Sequence, residues 1–83
     1  MTIQVRLSAG LAREVGQARL SLTLPAGSTV ADLLAQLRAR HPGAVSQLDV
    51  AIPVIAGQPV SPTASLTAGQ EVALLLPIAG GCR

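Results

Sequence analysis

The chain ends in a segment whose residue types suit chemistry at a backbone carbonyl carbon. Residues 77–83 read Pro-Ile-Ala-Gly-Gly-Cys-Arg, so a pair of glycines is followed by two further residues. Gly80 and Gly81 carry no side chain, and such a peptide can enter a narrow channel in another protein and present its carbonyl carbon to a nucleophile. A frayed terminus with ordinary glycines is the alternative. Any reaction at a Gly81 carboxylate requires that Cys82 and Arg83 be removed first.

The rest of the sequence shows no arrangement typical of an active site. His41 is the single histidine and Cys82 the single cysteine, and a role for His41 at a helix end or in a loop is favoured over a catalytic one. The four acidic residues show no pairing suited to general acid and base catalysis; they are Glu14, Asp32, Asp49 and Glu71. The sequence therefore predicts that this domain is not an enzyme, with no bound cofactor and no metal site.

The composition indicates one small folded domain. A chain of 83 residues can fold alone, and 49% hydrophobic with 12% charged residues favours a fold that leaves some apolar surface exposed. The net charge of +2 comes from scattered arginines, with no aromatic residue for base stacking, which argues against nucleic-acid binding. No signal-peptide pattern or membrane-spanning stretch is present. A cytoplasmic protein without membrane association is predicted, and its single cysteine agrees with a reducing compartment.

The first half of the chain has the periodicity of two strands followed by one helix. Apolar and polar residues alternate over residues 3–7 and 20–24, which predicts an antiparallel hairpin, with a short helical turn in the connection over residues 9–18. An apolar stripe then follows helical spacing; it consists of Val30, Leu33, Leu34 and Leu37. Thr29 and Asp32 predict a capping box at the start of this helix, and the sequence His-Pro-Gly at residues 41–43 predicts its end.

The second half predicts three more strands, over residues 50–55, 59–60 and 72–76, so the element order is β-β-α-β-β-β. Pro53 cannot donate a backbone hydrogen bond, which predicts a free edge or a bulge there. Apolar residues occur at both alternating positions of the first and last of these strands, and this predicts an outer sheet surface covered by a partner. The residues assigned to this surface are Ala73, Leu75, Pro53 and Ile55. The alternative is that both strands are central and buried on both faces.

Taken together, these motifs resemble the MoaD/ThiS family of ubiquitin-like sulfur-carrier proteins. The resemblance is carried by the hairpin, by the Pro-Ala-Gly-Ser-Thr-Val turn at residues 25–30, by Leu-Thr-Ala-Gly-Gln-Glu-Val at residues 66–72, and by the terminal Gly-Gly. It spans nearly the whole chain. It implies an α+β protein with the β-grasp fold, a five-stranded mixed sheet over one helix, with the first and last strands parallel at its centre.

The resemblance also implies a chemistry for the tail. In this family the C-terminal glycine, here Gly81, is adenylated with ATP by an enzyme related to ubiquitin-activating enzymes and then converted to a thiocarboxylate. A sulfur-acceptor enzyme receives the sulfur in cofactor, amino-acid or secondary-metabolite biosynthesis. Ile78, Ala79 and Gly80 are then the residues that thread into the partner's site.

The two residues after the glycines depart from the common family pattern, in which the chain ends at the second glycine. They resemble a subset of carriers from which a JAMM-type zinc metalloprotease removes a Cys-containing dipeptide. The expected organisation is thus a β-grasp domain over residues 1–76, a flexible tail over residues 77–81, and a removable dipeptide at residues 82–83. Cys82 has two other interpretations, an adventitious thiol or a participant that attacks the Gly81 carbonyl to form a thioester.

Two other functions use the same features. A ubiquitin-like modifier would form an isopeptide bond through Gly81, and a small subunit of a molybdopterin-synthase-like complex would insert its tail into a permanent partner. The sequence does not separate these functions, because the carrier meets the final product only through its partner.

Overall fold

A five-stranded sheet forms the body of the protein. The structure, a computed structural model, describes residues 1–76. The strands are β1 (Thr2–Leu7), β2 (Arg19–Thr23), β3 (Ile52–Ile55), β4 (Gln58–Pro59) and β5 (Glu71–Leu75). Their order across the sheet is β2-β1-β5-β3-β4. The central pair β1–β5 is parallel, and the pairs β1–β2, β3–β5 and β3–β4 are antiparallel. The predicted α+β β-grasp fold is thereby confirmed.

The predicted hairpin forms because apolar side chains on alternate positions bury one face of β1 and β2. Ile3 and Val5 are buried, while the intervening residues of β1 are exposed. The connection between the strands contains α1 (Ala9–Val15), a helix of two turns where a single helical turn was expected. It ends at Gly16, whose φ of 97° lies in the left-handed region and whose N–H donates to the Ala12 carbonyl oxygen at 2.8 Å.

The predicted helix is α2 (Val30–Arg40), and its start has the expected capping box. The Asp32 N–H donates to Thr29 Oγ1 at 3.4 Å, and the Thr29 N–H donates to Asp32 Oδ2 at 2.9 Å. The apolar stripe faces the sheet and is buried. At the other end the N–H of His41 donates to the Leu37 carbonyl oxygen at 2.8 Å, so His41 takes the capping position that the sequence favoured.

The strand predicted over residues 50–55 begins later than expected. Residues before it form a 3-10 helix (Pro42–Ala44) and then α3 (Val45–Val50), and β3 begins only at Ile52. Leu48 of α3 is 1% exposed and fills the core. An apolar run as short as this one is compatible with either a helix or a strand, because periodicity does not separate the two over a few residues.

The core lies between the inner face of the sheet and the helices. Both the strands and the helices contribute to it. Its largest fully buried side chains are Ile3, Leu11, Leu22, Leu33, Leu37, Leu48, Leu74, Val5, Val30 and Val72. None of the helices formed by residues 1–76 combines the length and apolar character that crossing a membrane requires.

Candidate functional site

The outer face of β3 and β5 carries an apolar patch, made of Ile52, Val54, Ala73 and Leu75. Ile52 is the register partner of Leu75, and Val54 is that of Ala73. Ile52 is 40% exposed and Leu75 45% exposed, although both are large aliphatic side chains. Val50, at the end of α3, is also exposed. The exposed large aliphatic residues of the described chain are therefore concentrated in and just before β3 and at the end of β5.

The structure corrects half of the predicted partner surface. Pro53 is the register partner of Leu74, and Ile55 that of Val72, and both β5 residues are fully buried. Pro53 is itself buried and Ile55 packs against the core. Both residues therefore lie on the inner face, because register partners share a face of the sheet.

The reason for the error is the composition of β3. Its four residues are all apolar, so their pattern does not show which alternate pair faces outwards. The residues missed were Ile52 and Val54. The placement of Ala73 and Leu75 on the outer face agrees with the prediction, since both follow the alternation of β5.

Pro53 also bears on the sheet edge. Its carbonyl oxygen accepts from the Val60 N–H at 2.9 Å, on the β4 side of β3. The backbone nitrogen and carbonyl of one residue in an antiparallel strand point towards the same neighbouring strand. The Pro53 nitrogen, which has no hydrogen to donate, therefore faces β4 rather than β5. β4 is only two residues long, and its register with β3 covers Val54 and Ile55 but not Pro53. The proline thus leaves the ladder between β3 and β5 intact.

One arginine borders the apolar patch, and a second lies beside it on the next strand. Arg6 lies beside Ala73 in the parallel pair β1–β5 and opposite Arg19 in the antiparallel pair β1–β2. We call Arg6 and Arg19 the arginine pair. Both are exposed on the outer face. The nearest acidic partner is Glu71, whose Oε1 lies 3.9 Å from Arg6 Nη1, with both side chains about half exposed.

The tail starts at the edge of the same surface. Leu76 is the first residue after β5, and it is half-buried against the core, whereas Leu75 points outwards. Leu76 packs closely on α1: a Cβ atom placed on Gly10 would lie 2.8 Å from Leu76 Cδ1. The Ser8 N–H also donates to the Leu74 carbonyl oxygen at 3.1 Å. Glycine at position 10 thus permits the end of β5 to lie directly against the first turn of α1.

The predicted reactive and threading residues lie outside the described residues; they are Ile78, Ala79, Gly80, Gly81, Cys82 and Arg83. Within residues 1–76 the structure has no pocket and no group of three or more potential metal ligands. The candidate site that the structure does describe is therefore an exposed surface next to the origin of the tail.

This arrangement of sheet, helix and terminal strand defines a ubiquitin-like β-grasp protein. SAMP1, or small archaeal modifier protein 1, from Haloferax volcanii is 26% identical, with 98% of this chain and 100% of that chain covered and a TM-score of 0.87. A putative molybdopterin converting factor, subunit 1, from Pyrococcus furiosus is 22% identical, with 94% and 99% covered and a TM-score of 0.85. Subunit 1 in a complex with subunit 2 of the molybdopterin-converting factor from Helicobacter pylori is 17% identical, with 98% and 100% covered and a TM-score of 0.69. The last two likenesses show the fold.

The chain belongs to the ThiS family, whose model matches residues 5–81. The predicted family membership is confirmed, and it places the chain among ubiquitin-like sulfur carriers and modifiers, which are small carrier proteins rather than enzymes. The matched region includes Gly80 and Gly81 and stops before Cys82. A comparison with curated proteins finds no match.

Proposed function

We propose that the chain is the precursor of a sulfur carrier. After removal of Cys82 and Arg83, the Gly81 carboxylate is adenylated with ATP by a partner enzyme and converted to a thiocarboxylate. The observation that carries this proposal is the extent of the family match, which runs through both glycines and ends at Gly81. In this proposal the protein is cytoplasmic. Residues 1–76 are the body that partners recognise, and residues 77–81 are the tail that enters the partners' active sites.

The proposed chemistry explains why the tail ends in glycines. A carboxylate is a poor electrophile, and adenylation gives the acyl carbon a good leaving group. The terminal sulfur of a partner's persulfide then attacks the acyl carbon and AMP leaves. A second thiol of the partner reduces the resulting sulfur–sulfur bond, which releases the thiocarboxylate. Because Gly80 and Gly81 have no Cβ atoms, the same tail fits both the adenylating site and the site of a sulfur acceptor.

The apolar patch supplies the docking surface in this proposal. Exposed aliphatic side chains on a sheet face next to the tail favour a partner that covers the face while it receives the tail. The Helicobacter pylori structure is a protein–protein complex of subunits 1 and 2, and its subunit 1 has the same fold as this chain. It supports the proposal that a protein of this fold binds a second protein. The partners we propose are an adenylating enzyme related to ubiquitin-activating enzymes, a sulfur-acceptor enzyme, and a JAMM-type zinc protease for residues 82–83.

A ubiquitin-like modifier is the second candidate function. The similarity to SAMP1, a modifier by name, favours it. In that function the activated Gly81 carbonyl forms an isopeptide bond with a lysine amine of a target protein instead of accepting sulfur. Activation of Gly81 is common to both functions, so only the fate of the acyl group separates them.

Mass spectrometry of the chain in its host tests both candidates. For a sulfur carrier we expect a species ending at Gly81 in which one carboxylate oxygen is replaced by sulfur. Protein conjugates linked through Gly81, without that species, would show a modifier. A thiocarboxylate formed on a chain that still ends in Arg83 would refute the processing step. Cys82→Ala is the matched variant for the thioester alternative, because a chain that is still processed and still gains sulfur needs no Cys82 thiol.

A further inference from the structure

The arginine pair is an unfavourable arrangement for the fold. Arg6 and Arg19 are direct register partners in adjacent antiparallel strands, where two like charges repel and destabilise the pairing. Glu71 lies at the outer limit of an ion pair with Arg6, at 3.9 Å, and these side chains are 55% and 49% exposed, so solvent screens their attraction. The arginine pair therefore adds nothing evident to the stability of the sheet.

The same arginines extend the apolar patch into one continuous surface. Across the sheet the register places Arg19, Arg6, Ala73 and Val54 in a single row, one residue for each strand from β2 to β3. Neighbouring strands are about 4.8 Å apart. The row crosses four neighbouring strands and changes from basic to apolar along its length, which is short enough for a single segment of a partner protein to contact all of it. The charged residues of this face within residues 1–76 are two arginines and Glu71, which leave a net positive charge.

We propose that this outer face docks a protein partner that presents carboxylate side chains to Arg6 and Arg19 and an apolar anchor to the patch. This inference rests on the proposed function, since it describes how the adenylating enzyme recognises the body of the carrier. A guanidinium group binds carboxylates through two parallel hydrogen bonds, so two adjacent arginines suit an acidic pair or segment. Docking relieves the repulsion within the arginine pair, because each guanidinium gains an opposite charge.

Other occupants fit this face less well. A nucleic acid would satisfy the arginines but would leave the apolar patch without a complement, and the chain has no aromatic residue on which bases stack. A second copy of the chain would meet the patch, but its outer face brings two arginines against one carboxylate, Glu71, so two net positive faces would oppose each other. A protein with an acidic region beside an apolar region satisfies both halves of the surface.

A single charge reversal separates this role from a structural one. Arg19→Glu replaces the like-charge pair by an opposite-charge pair, so we expect the unfolding midpoint to rise. The same variant presents a carboxylate to the partner's acidic region, so we expect weaker binding, by roughly three- to tenfold at low ionic strength, with the loss shrinking as salt is added. A variant that is better folded but binds worse excludes misfolding as the cause.

Arg13→Glu is the matched control. Arg13 is exposed on α1, away from the outer face of the sheet, and its reversal changes the net charge by the same amount. It also removes a basic side chain from the last turn of a helix, so we expect slightly lower stability with unchanged binding. The two variants are thus expected to move stability and binding in opposite ways.

The probe for this test is the host adenylating enzyme, identified by pyrophosphate exchange that depends on the chain ending at Gly81. Its affinity for wild-type, Arg19→Glu and Arg13→Glu chains is measured over a range of salt concentrations. Equal losses in both variants, or no loss in Arg19→Glu, would overturn the acidic contact while activation of Gly81 still stands. A preference of the arginine face for single-stranded DNA or for a second copy would also overturn it. If no enzyme activates the chain, the proposed function itself fails, and the inference fails with it.

Discussion

Two consecutive leucines at the end of β5 offer a sharp test of the division between body and docking surface. Leu74 is fully buried on the inner face, and Leu75 is 45% exposed on the outer face. Both are changed to alanine, so the chemical change is the same and only the face of the sheet differs. We expect Leu75→Ala to weaken docking with little loss of stability, and Leu74→Ala to lower stability with little effect on docking by the chains that remain folded.

The expected magnitudes follow from the burial. Full burial of a leucine side chain is worth about 1.5–3 kcal/mol, and Leu75 still has 45% of its surface available to a partner. Truncation should therefore weaken docking by about 1 kcal/mol, which is about fivefold in Kd. Leu74→Ala removes a side chain with no exposed surface and should cost about 2–5 kcal/mol of unfolding free energy. That is a large share of the stability of a small domain.

Urea unfolding followed by circular dichroism gives the stability of each variant, and titration with the adenylating enzyme gives its affinity. The two variants should fall at opposite corners of a plot of stability loss against affinity loss. If Leu75→Ala bound the enzyme as tightly as wild type, the outer patch would not be the docking surface. If Leu74→Ala lost affinity while still folded at the assay temperature, the assignment of inner and outer faces to separate roles would be wrong.

Three further changes test local features. Thr29→Ala removes the hydroxyl that caps α2 and should lower the unfolding free energy by about 1 kcal/mol, measured in urea; an unchanged midpoint would contradict the capping role. Gly10→Ala forces Leu76 to move, because the new Cβ would lie 2.8 Å from Leu76 Cδ1, so the Leu76 methyl signals should shift in NMR spectra. Gly43→Ala is the control: its new Cβ would lie 3.8 Å from the nearest atom, Glu14 Oε2, and should leave the Leu76 signals in place. Ala56 has a φ of 53° in the two-residue turn between β3 and β4, a left-handed conformation that asparagine tolerates better than alanine. Ala56→Asn should therefore raise the unfolding free energy by about 0.5–1 kcal/mol. A lower unfolding midpoint in urea would show that the backbone at Ala56 is not strained.

The sequence predicted α2 but not α3, and the difference has a physical reason. α2 was predictable because its eleven residues hold a full apolar stripe and begin with a capping box. α3 has six residues, and its first turn has no side-chain cap. Its helical state depends on burying Leu48 against the rest of the fold, a contact between distant parts of the chain that a local pattern does not contain.

The candidate surface shows the same limit. Alternation within β5 placed Ala73 and Leu75 correctly, because Glu71 marks the exposed phase of that strand. β3 has no polar residue to mark its phase, so Pro53 and Ile55 were assigned to the wrong face. Only the register with β5 decides that Ile52 and Val54 face outwards. The arginine pair could not be predicted from the local sequence either, because Arg6 and Arg19 become neighbours only when β1 and β2 pair.

In the proposed function, the position of the patch on the last strand limits the distance between the docking surface and the site that activates Gly81. β5 contributes Leu75 to the docking surface, and the chain continues from Leu76, which packs against α1. A partner that covers the patch therefore also fixes the starting point of the tail. Residues 77–81 span at most about 17 Å when fully extended, at about 3.4 Å for each residue. If a partner covers the patch and activates Gly81 as proposed, its reactive groups have to lie within that reach of Leu76, so the tail sets an upper limit on the distance between the docking surface and the reactive groups of each such enzyme.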